Sequence, residues 1–247
     1  MAADALSHGL RFELCPKRVR AIANGETIVD SLRTVVVAGP GYLPVYYFPP
    51  ADVRADFLKP SDDRSSSPQL GEAMRQTLEI AGKRIGNAAW RHHAPPPAAE
   101  RIKDFIAFDR HKIDHWFEEE EEVFGHPRDP RHRVDVRLSS RAVRAIFAGE
   151  TVALSRRAMF LFETDLPTRY YVPPADVRLD WLIATNRRTT CPYKGHASYW
   201  SIKIGDRVAE DAVWGYLDPL PDCPQIKGYF CFYPEKLDRL EVEGENS

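Results

Sequence analysis

The chain is poor in cysteine and in long apolar runs, and it carries no surplus of charge of either sign. It has 4 cysteines in 247 residues, none in the Cys-x-x-Cys spacing of a zinc site, so we expect free thiols. Its longest apolar stretches are far shorter than the roughly 18 residues that a membrane-spanning helix needs. Its first residues lack the pattern of a secretory leader. These absences predict a cytoplasmic protein without a membrane segment.

The charge balance excludes one class of partner. Lys and Arg total 34 against 36 for Asp and Glu, a formal net charge of −2. Proteins that hold nucleic acid by its phosphates usually carry a basic surplus, so we expect no nucleic-acid partner. Hydrophobic residues make up 43% of the chain, which is enough for a sizeable buried core and excludes wholesale disorder.

The main positive feature is an internal repeat. Val19–Thr27 (VRAIANGET) matches Val143–Thr151 (VRAIFAGET), an offset of 124 residues (143 − 19). At the same offset, Tyr46–Arg54 (YYFPPADVR) matches Tyr170–Arg178 (YYVPPADVR). Each copy is long enough to close a core of its own.

We therefore predict two homologous domains, over residues 10–122 and 133–244, joined by a linker over residues 123–132. Like domains in one chain often pair about a pseudo-two-fold axis, as the subunits of a homodimer do. We expect such an intramolecular pseudo-dimer in a monomeric protein.

Local patterns within each copy are mostly those of β-structure. Asn24-Gly25 and its twin Ala148-Gly149 predict tight hairpin turns. Each Pro-Pro-Ala-Asp-Val-Arg segment predicts a single helical turn, because proline is tolerated in the first turn of a helix. Gln69–Ala81 and Ala98–Asp109 are predicted as strands, since their second-copy partners alternate in polarity as strands do. The predicted fold is all-β, mainly strands with short helical turns, in two compact domains.

Two further expectations concern residues that both copies share. The Asp of each Pro-Pro-Ala-Asp turn is placed to brace it, with the Arg two residues later as its ion-pair partner: Asp52 with Arg54, and Asp176 with Arg178. Trp90 and the equivalent Trp214 are expected to be core aromatics.

Other positions differ between the copies, and there the second copy has the chemically reactive residue types. Thr189–Trp200 of the second copy reads TTCPYKGHASYW, whereas Ser65–Gln76 of the first reads SSSPQLGEAMRQ. Glu163 of the second copy aligns with Gly39 of the first. Pro, Gly and Ala are kept while the chemically reactive residue types appear only in the second copy. If the chain has one chemical site, the second domain carries most of it.

The order of these segments resembles a known family. ETDLPTRYYVPPADVR, then TTCPYKGHASYWS, AVWGY and GYFCFY are similar to the family catalogued as domain of unknown function 427, in which tandem copies are a familiar arrangement. The resemblance implies a compact all-β domain similar to the β-tent architecture of methionine sulfoxide reductase B. It implies no agreed activity. A nucleotidyltransferase label has been attached to the family, but the chain lacks a Gly-Ser pair followed by spaced Asp residues, and both copies lack the zinc cysteines of β-tent relatives.

Four side chains of the second copy are candidates for catalysis. Glu163 would act as a general acid or base if it is desolvated. Lys194 would form a Schiff base or hold an anion, and Cys191 with His196 would form a nucleophile–base pair. The ordinary alternatives are a carboxylate that braces a turn, an exposed lysine and a packed thiol. The candidate ligand-binding residues are Tyr170, Tyr171, Arg178, Tyr193, Tyr199 and Trp200, which supply apolar walls with polar tips.

No metal or cofactor site is assigned. His111 and His115 have the spacing of two ligands on one helix face, but the glutamate expected after the first histidine is missing and the segment aligns with a predicted strand end.

Three function classes remain open. They are a small-molecule enzyme that uses acid–base or thiol chemistry, a non-catalytic domain that captures an anionic or aromatic metabolite, and a protein-interaction module. The residue types favour a small-molecule pocket in the second domain.

Overall fold

Antiparallel β-strands make up both of the compact units into which the chain divides, Met1–Asp129 and Pro130–Ser247. The structure is a computed structural model that describes residues 9–245. Helical structure there consists of short 3-10 segments, and none of the described helices is long and apolar enough to cross a membrane. The predicted all-β fold with two repeated domains is confirmed.

The first unit contains a seven-stranded sheet in the order β1-β4-β5-β9-β8-β7-β6 and a four-stranded sheet in the order β11-β10-β2-β3. Its strands are β1 (Arg11–Leu14), β2 (Val19–Ala23), β3 (Glu26–Ser31), β4 (Val35–Gly39), β5 (Tyr42–Phe48), β6 (Leu58–Ser67), β7 (Gly71–Ile80), β8 (Lys83–Arg91), β9 (Ile106–Phe108), β10 (His115–Glu118) and β11 (Glu121–Glu122). Its 3-10 segments are Pro50–Asp52, Ala55–Phe57, Pro97–Ile102 and Arg110–Lys112.

The second unit repeats this plan, with a seven-stranded sheet in the order β12-β15-β16-β20-β19-β18-β17 and a three-stranded sheet in the order β14-β13-β21. Its strands are β12 (Val134–Ser139), β13 (Val143–Phe147), β14 (Glu150–Ser155), β15 (Ala158–Glu163), β16 (Arg169–Val172), β17 (Leu182–Cys191), β18 (Gly195–Ile204), β19 (Arg207–Pro219), β20 (Phe230–Phe232) and β21 (Arg239–Val242). Its 3-10 segments are Pro174–Asp176, Leu179–Trp181, Pro224–Ile226 and Pro234–Lys236.

The predicted hairpins form at the predicted places. Asn24 and Gly25 have φ of 48° and 79°, and Ala148 and Gly149 have φ of 53° and 78°. Two consecutive residues with positive φ give the turn whose twist matches that of paired strands.

The strand prediction for Gln69–Ala81 is confirmed by β7, but the one for Ala98–Asp109 is wrong over its first half. Pro97–Ile102 is a 3-10 helix, and only Ile106–Phe108 forms a strand. Proline has no amide hydrogen to donate to a ladder and its fixed φ suits a first helical turn, so the proline-rich entry to this segment favours the helix.

The predicted pairing of Asp52 with Arg54, and of Asp176 with Arg178, is also wrong. Asp176 accepts hydrogen bonds from Ser155 at 2.7 Å and from Arg157 at 2.8 Å, whereas Arg178 pairs with Asp180. The first unit repeats the pattern, with Asp52 bonded to Ser31 and Arg33, and Arg54 to Asp56. Each aspartate thus ties its 3-10 turn to the end of a neighbouring strand instead of closing a pair within the turn.

The seven-stranded sheet of the second unit is buried on both faces. Successive residues of a strand point to opposite sides, so Phe160, Tyr170 and Val172 pack against the three-stranded sheet while Leu161 and Tyr171 point away from it. The cluster on this other side, which we call the far-face core, has ten buried members: Val136, Leu161, Tyr171, Ala197, Tyr199, Trp214, Tyr216, Cys223, Ile226 and Cys231. The first unit has an equivalent cluster, formed by Val35, Val37, Tyr47, Leu70, Ala99, Ile102 and Ala107. Trp214 is buried as predicted, and Trp90 is partly buried against its cluster.

Candidate functional site

A buried carboxylate stands at the edge of the far-face core. Glu163 is the last residue of β15, and strand alternation places it on the same side as Leu161. Its side chain is only 7% exposed. An ionised carboxylate at such a position needs charged or hydrogen-bonding partners.

The first partner is Lys194, in the turn between β17 and β18. Its Nζ donates to Oε2 of Glu163 at 2.5 Å, and its side chain is 10% exposed. Gly195 follows with φ of 100°, a conformation that favours glycine, and so permits the turn that carries the lysine. Because β15 is second in the sheet order and β18 and β17 are sixth and seventh, this ion pair joins strands near opposite edges of the sheet.

The second partner is His132, the last residue of the predicted linker. Its Nε2 lies 3.0 Å from Oε1 of Glu163, so the lysine and the histidine bind different oxygens of one carboxylate. The imidazole also stacks on Tyr193, with ring centroids 4.4 Å apart and planes inclined by 28°. We call His132, Glu163 and Lys194 the Glu163 centre.

One sequence signal could have identified His132. At the repeat offset its equivalent is His8 (132 − 124), so the histidine match begins just before the predicted domain boundary. His8 lies outside the described residues.

Buried phenols line the far-face core near this centre. The hydroxyl of Tyr171 accepts a hydrogen bond from Nε1 of Trp214 at 3.3 Å. Burial raises the pKa of Tyr171 and of Tyr216 well above that of a free phenol, and the negative charge of Glu163 adds to both shifts. Both phenols therefore keep their protons at neutral pH.

The thiols of the far-face core are also held protonated. Burial raises the pKa of Cys223 to about 11 and that of Cys231 to about 12, although the Lys194 ammonium opposes both shifts. Cys223 donates a weak hydrogen bond to the backbone oxygen of Tyr193 at 3.8 Å. Cys191 lies partly buried at the rim of the core. All four cysteines are free, as predicted.

Cys191 and His196 do not meet. In the β17–β18 hairpin Cys191 is paired with Gly195 and Thr190 with His196, so the cysteine and the histidine point to opposite faces. His196 is exposed, and its Nδ1 lies 3.0 Å from Oγ1 of Thr190. The arrangement does not support a nucleophile–base pair.

The predicted ligand-binding residues fall into two groups. Tyr171, Tyr193 and Tyr199 lie on the side of the Glu163 centre. Tyr170 and Trp200 lie in the core between the two sheets, where Trp200 packs on Phe230 at 5.0 Å.

The polar groups of Tyr170 and Arg178, the remaining member of the predicted set, have partners of their own. The hydroxyl of Tyr170 donates to the carboxylate of Glu245 at 2.7 Å. The guanidinium of Arg178 pairs with Asp180 at 2.7 Å and stacks on Trp181 at 4.0 Å. Neither contact involves the Glu163 centre.

His111 and His115 do not lie on one face of a helix, as a helical metal motif would require. His111 lies in the 3-10 segment Arg110–Lys112, and His115 begins β10 with its Nδ1 at 2.6 Å from Glu122. Within residues 9–245 no three His, Cys, Asp or Glu side chains converge as they would around a metal ion.

Comparison with known families places both repeats. A family model described as a domain of unknown function (DUF427) matches residues 11–119 and again residues 135–243. The chain belongs to this family. No curated protein matches it.

The two DUF427 repeats differ at the Glu163 centre. At the offset of 124 residues, Lys194 corresponds to Leu70 (194 − 124) and Glu163 to Gly39 (163 − 124). Leu70 is buried in the far-face core of the first repeat, 3% exposed. One DUF427 fold thus buries a leucine where the other buries an ammonium group beside a carboxylate.

Proposed function

We propose that the second repeat binds a small molecule at the Glu163 centre and transfers protons to or from it. The observation that carries this proposal is the exchange of Leu70 and Gly39 in the first repeat for Lys194 and Glu163 in the second. Both repeats form a seven-stranded sheet of equivalent strand order, one with Leu70 and Gly39 and the other with Lys194 and Glu163.

Stability is a weak reason for keeping this ion pair. Removing two charges from water costs several kcal/mol per ion, and well-packed apolar residues of similar volume are often as stable or more so. The first repeat has the same fold with an apolar residue in place of the lysine, since Leu70 is buried at the equivalent position. A pair that the fold can do without is better explained by a chemical role.

The geometry suits acid–base work. Imidazole is the side chain that most readily exchanges protons near neutral pH, and a carboxylate bonded to one ring nitrogen fixes its tautomer and orientation. Glu163 binds Nε2 of His132 in this way, while Lys194 holds the other carboxylate oxygen. Nδ1 of His132 is then the atom that would exchange a proton with the bound molecule.

Two alternatives have less support. Thiol assistance by Cys191 is disfavoured because Cys191 and His196 lie on opposite faces of the β17–β18 hairpin. Capture of an anion between Lys194 and Arg178 is disfavoured because each cation already has a carboxylate partner, Glu163 and Asp180 respectively.

The test compares the full-length chain with variants by native mass spectrometry after gentle purification. We expect the wild-type protein to carry a bound small molecule that the double variant Glu163→Gly/Lys194→Leu, which copies the first repeat, loses. A Leu70→Met variant is the matched control in the first repeat and should retain the molecule.

A second measurement separates chemistry from binding. The released molecule is returned to wild-type protein in heavy water, where deuterium uptake or conversion is expected, and to a His132→Gln variant, where neither is expected. A double variant that keeps the molecule would overturn the site. Equal deuterium uptake with His132→Gln would overturn the proton transfer.

A further inference from the structure

A second feature of the far face is an arginine, Arg169, whose side-chain neighbours are aromatic rings. Arg169 begins β16, beside Leu161 in the register and on the same side of the sheet. Its guanidinium lies 5.4 Å from the ring centroid of Trp214 and 6.0 Å from that of Tyr233. Among residues 9–245, no acceptor lies within hydrogen-bonding distance of its side chain and no carboxylate within ion-pair distance.

The Arg169 guanidinium has five N–H donors. None of them is among the buried side-chain donors that lack a partner in residues 9–245, so they are open to solvent. The sheet itself does not need the charge, because the first repeat has Val45 at the equivalent position (169 − 124). The aromatic rings hold the cation by cation–π contact, which leaves its donors available.

A second guanidinium lies over the ring of Tyr199, the cross-strand partner of Trp214. Arg187 covers the ring of Tyr199 at 4.7 Å, and its ion pair with Asp211 is long at 3.5 Å and exposed. Burial and a hydrogen bond with Tyr199 raise the pKa of Tyr233 to about 12, and the charges of Arg187 and Arg169 oppose that rise. Tyr233 also packs on Trp214, the ring that Arg169 covers, with ring centroids 4.2 Å apart.

We propose that Arg169 and Arg187, together with the Tyr233 hydroxyl, bind the phosphate group of a small phosphate ester. The planar fork of a guanidinium matches two oxygens of a phosphate, and stacking on an aromatic face pre-orients it. The tyrosine hydroxyl supplies a donor for a further oxygen. This site does not depend on proton transfer at the Glu163 centre.

The first repeat shows the contrasting arrangement. At the positions of Arg187 and Tyr233 it has Asp63 (187 − 124) and Asp109 (233 − 124), whose carboxylates would repel a phosphate. It still has one guanidinium over the equivalent tryptophan, because Arg75 lies 4.9 Å from the ring centroid of Trp90. Arg75 therefore provides a matched control, an arginine stacked on tryptophan without the other donors.

The experiment is calorimetric titration of the full-length protein with phenyl phosphate, with inorganic phosphate and with benzoate. We expect saturable binding of phenyl phosphate and of phosphate, and weaker binding of benzoate. Arg169→Gln and Arg187→Gln should each weaken phenyl phosphate binding about tenfold or more, since each removes a charge-assisted hydrogen bond. Arg75→Gln should leave the affinity unchanged. Circular dichroism checks that each variant is folded, and the exposed Arg187 offers a test that is independent of packing at Arg169.

Three results would overturn the assignment. One is wild-type protein that shows no saturable binding of either phosphate probe. Another is an Arg75→Gln variant that weakens binding as much as Arg169→Gln, which would indicate general attraction of anions to the chain. The third is tighter binding of benzoate than of phenyl phosphate, which would replace the phosphate by a carboxylate.

Discussion

The buried acidic groups of the second repeat have different neighbours. The thiols of Cys223 and Cys231 lie among apolar and aromatic side chains, and their neutral forms are favoured. Glu163 is also buried, but a lysine and a histidine bind its two oxygens. Buried groups at the far face therefore differ in their surroundings: the thiols lie among apolar and aromatic side chains, whereas Glu163 has two polar partners.

This difference predicts a pattern of thiol reactivity. At about pH 8, iodoacetamide should alkylate Cys191 in the native protein and leave Cys223 and Cys231 unmodified, because alkylation needs an accessible thiolate. Peptide mass spectrometry measures the labelling. All four cysteines should react in guanidinium chloride, which is the control. Native labelling of Cys223 as fast as that of Cys191 would contradict the prediction.

The same thiols should make the fold sensitive to alkali. Their folded pKa values, about 11 and about 12, lie above the 9.0 of an unburied thiol, so the folded state binds protons more tightly. The stabilisation is fully present below about pH 9 and is lost as the pH rises through these folded values.

At the scale of elements, both repeats share a side-chain brace in which an aspartate of the proline turn binds a serine and an arginine. The shared sequence predicted a different arginine as its partner. The serine and arginine that bind Asp176, Ser155 and Arg157, are at the end of β14 and just beyond it, about twenty residues before the turn. Hydrogen bonds from Arg157, and then from Ser155, lower the pKa of Asp176. A sequence pattern shows which residues recur, but the partner across a turn depends on how the chain folds back.

The brace predicts a loss of stability that depends on pH. Asp176→Asn should lower the free energy of unfolding by about 1–2 kcal/mol at neutral pH, since charge-assisted hydrogen bonds are lost. Because the folded pKa is lowered, the stabilisation is present above the unfolded pKa near 3.9 and is lost as the pH falls through the folded value. The variant and the wild type should therefore converge in acid.

Thermal unfolding of both proteins at about pH 7 and at about pH 3 measures this difference. Asp52→Asn is the matched variant of the first repeat, where Ser31 and Arg33 form the same brace, and should behave alike. A difference between Asp176→Asn and wild type that does not change with pH would show that the aspartate acts by shape alone.

How far sequence could predict the site also depends on the scale of the elements. Hairpins and the proline turns follow from local residue types, and they form as predicted. The contact between Lys194 and Glu163 does not, because it joins strands far apart in the sheet order. Register irregularities in β18, at Gly195/Ala197 and at Trp200/Ile202, also prevent a simple alternation rule from giving the faces of Tyr199 and Trp200.

For the whole molecule, the duplication is an internal comparison. Both repeats build a seven-stranded sheet with a core on its far face, so the shared residues account for the fold. The differences between repeats gather on that face, where the second has Lys194 and Cys223 and the first has Leu70 and Ala99. Comparison of the two copies therefore predicts a site in the second repeat without any other sequence.

The comparison gives a last prediction about what the ion pair contributes to the fold. Lys194→Leu alone leaves Glu163 buried without its ammonium partner and should lower the free energy of unfolding by about 3 kcal/mol. The double variant Glu163→Gly/Lys194→Leu copies the first repeat, and its free energy of unfolding should come within about 1 kcal/mol of the wild-type value. The small remaining loss is the cost of placing glycine in a strand. Urea denaturation measures the difference, and hydrogen exchange of β17 and β18 assigns it to the second repeat.

The outcome bears directly on the proposed proton transfer. Recovery of stability in the double variant is the non-additive result expected when two side chains interact, and it would show that the fold tolerates an apolar pair in both repeats. The charged pair would then need a reason other than stability. Equal or larger loss in the double variant would instead make the pair a structural requirement of the second repeat, and the exchange between repeats would no longer support a chemical role for Glu163 and Lys194.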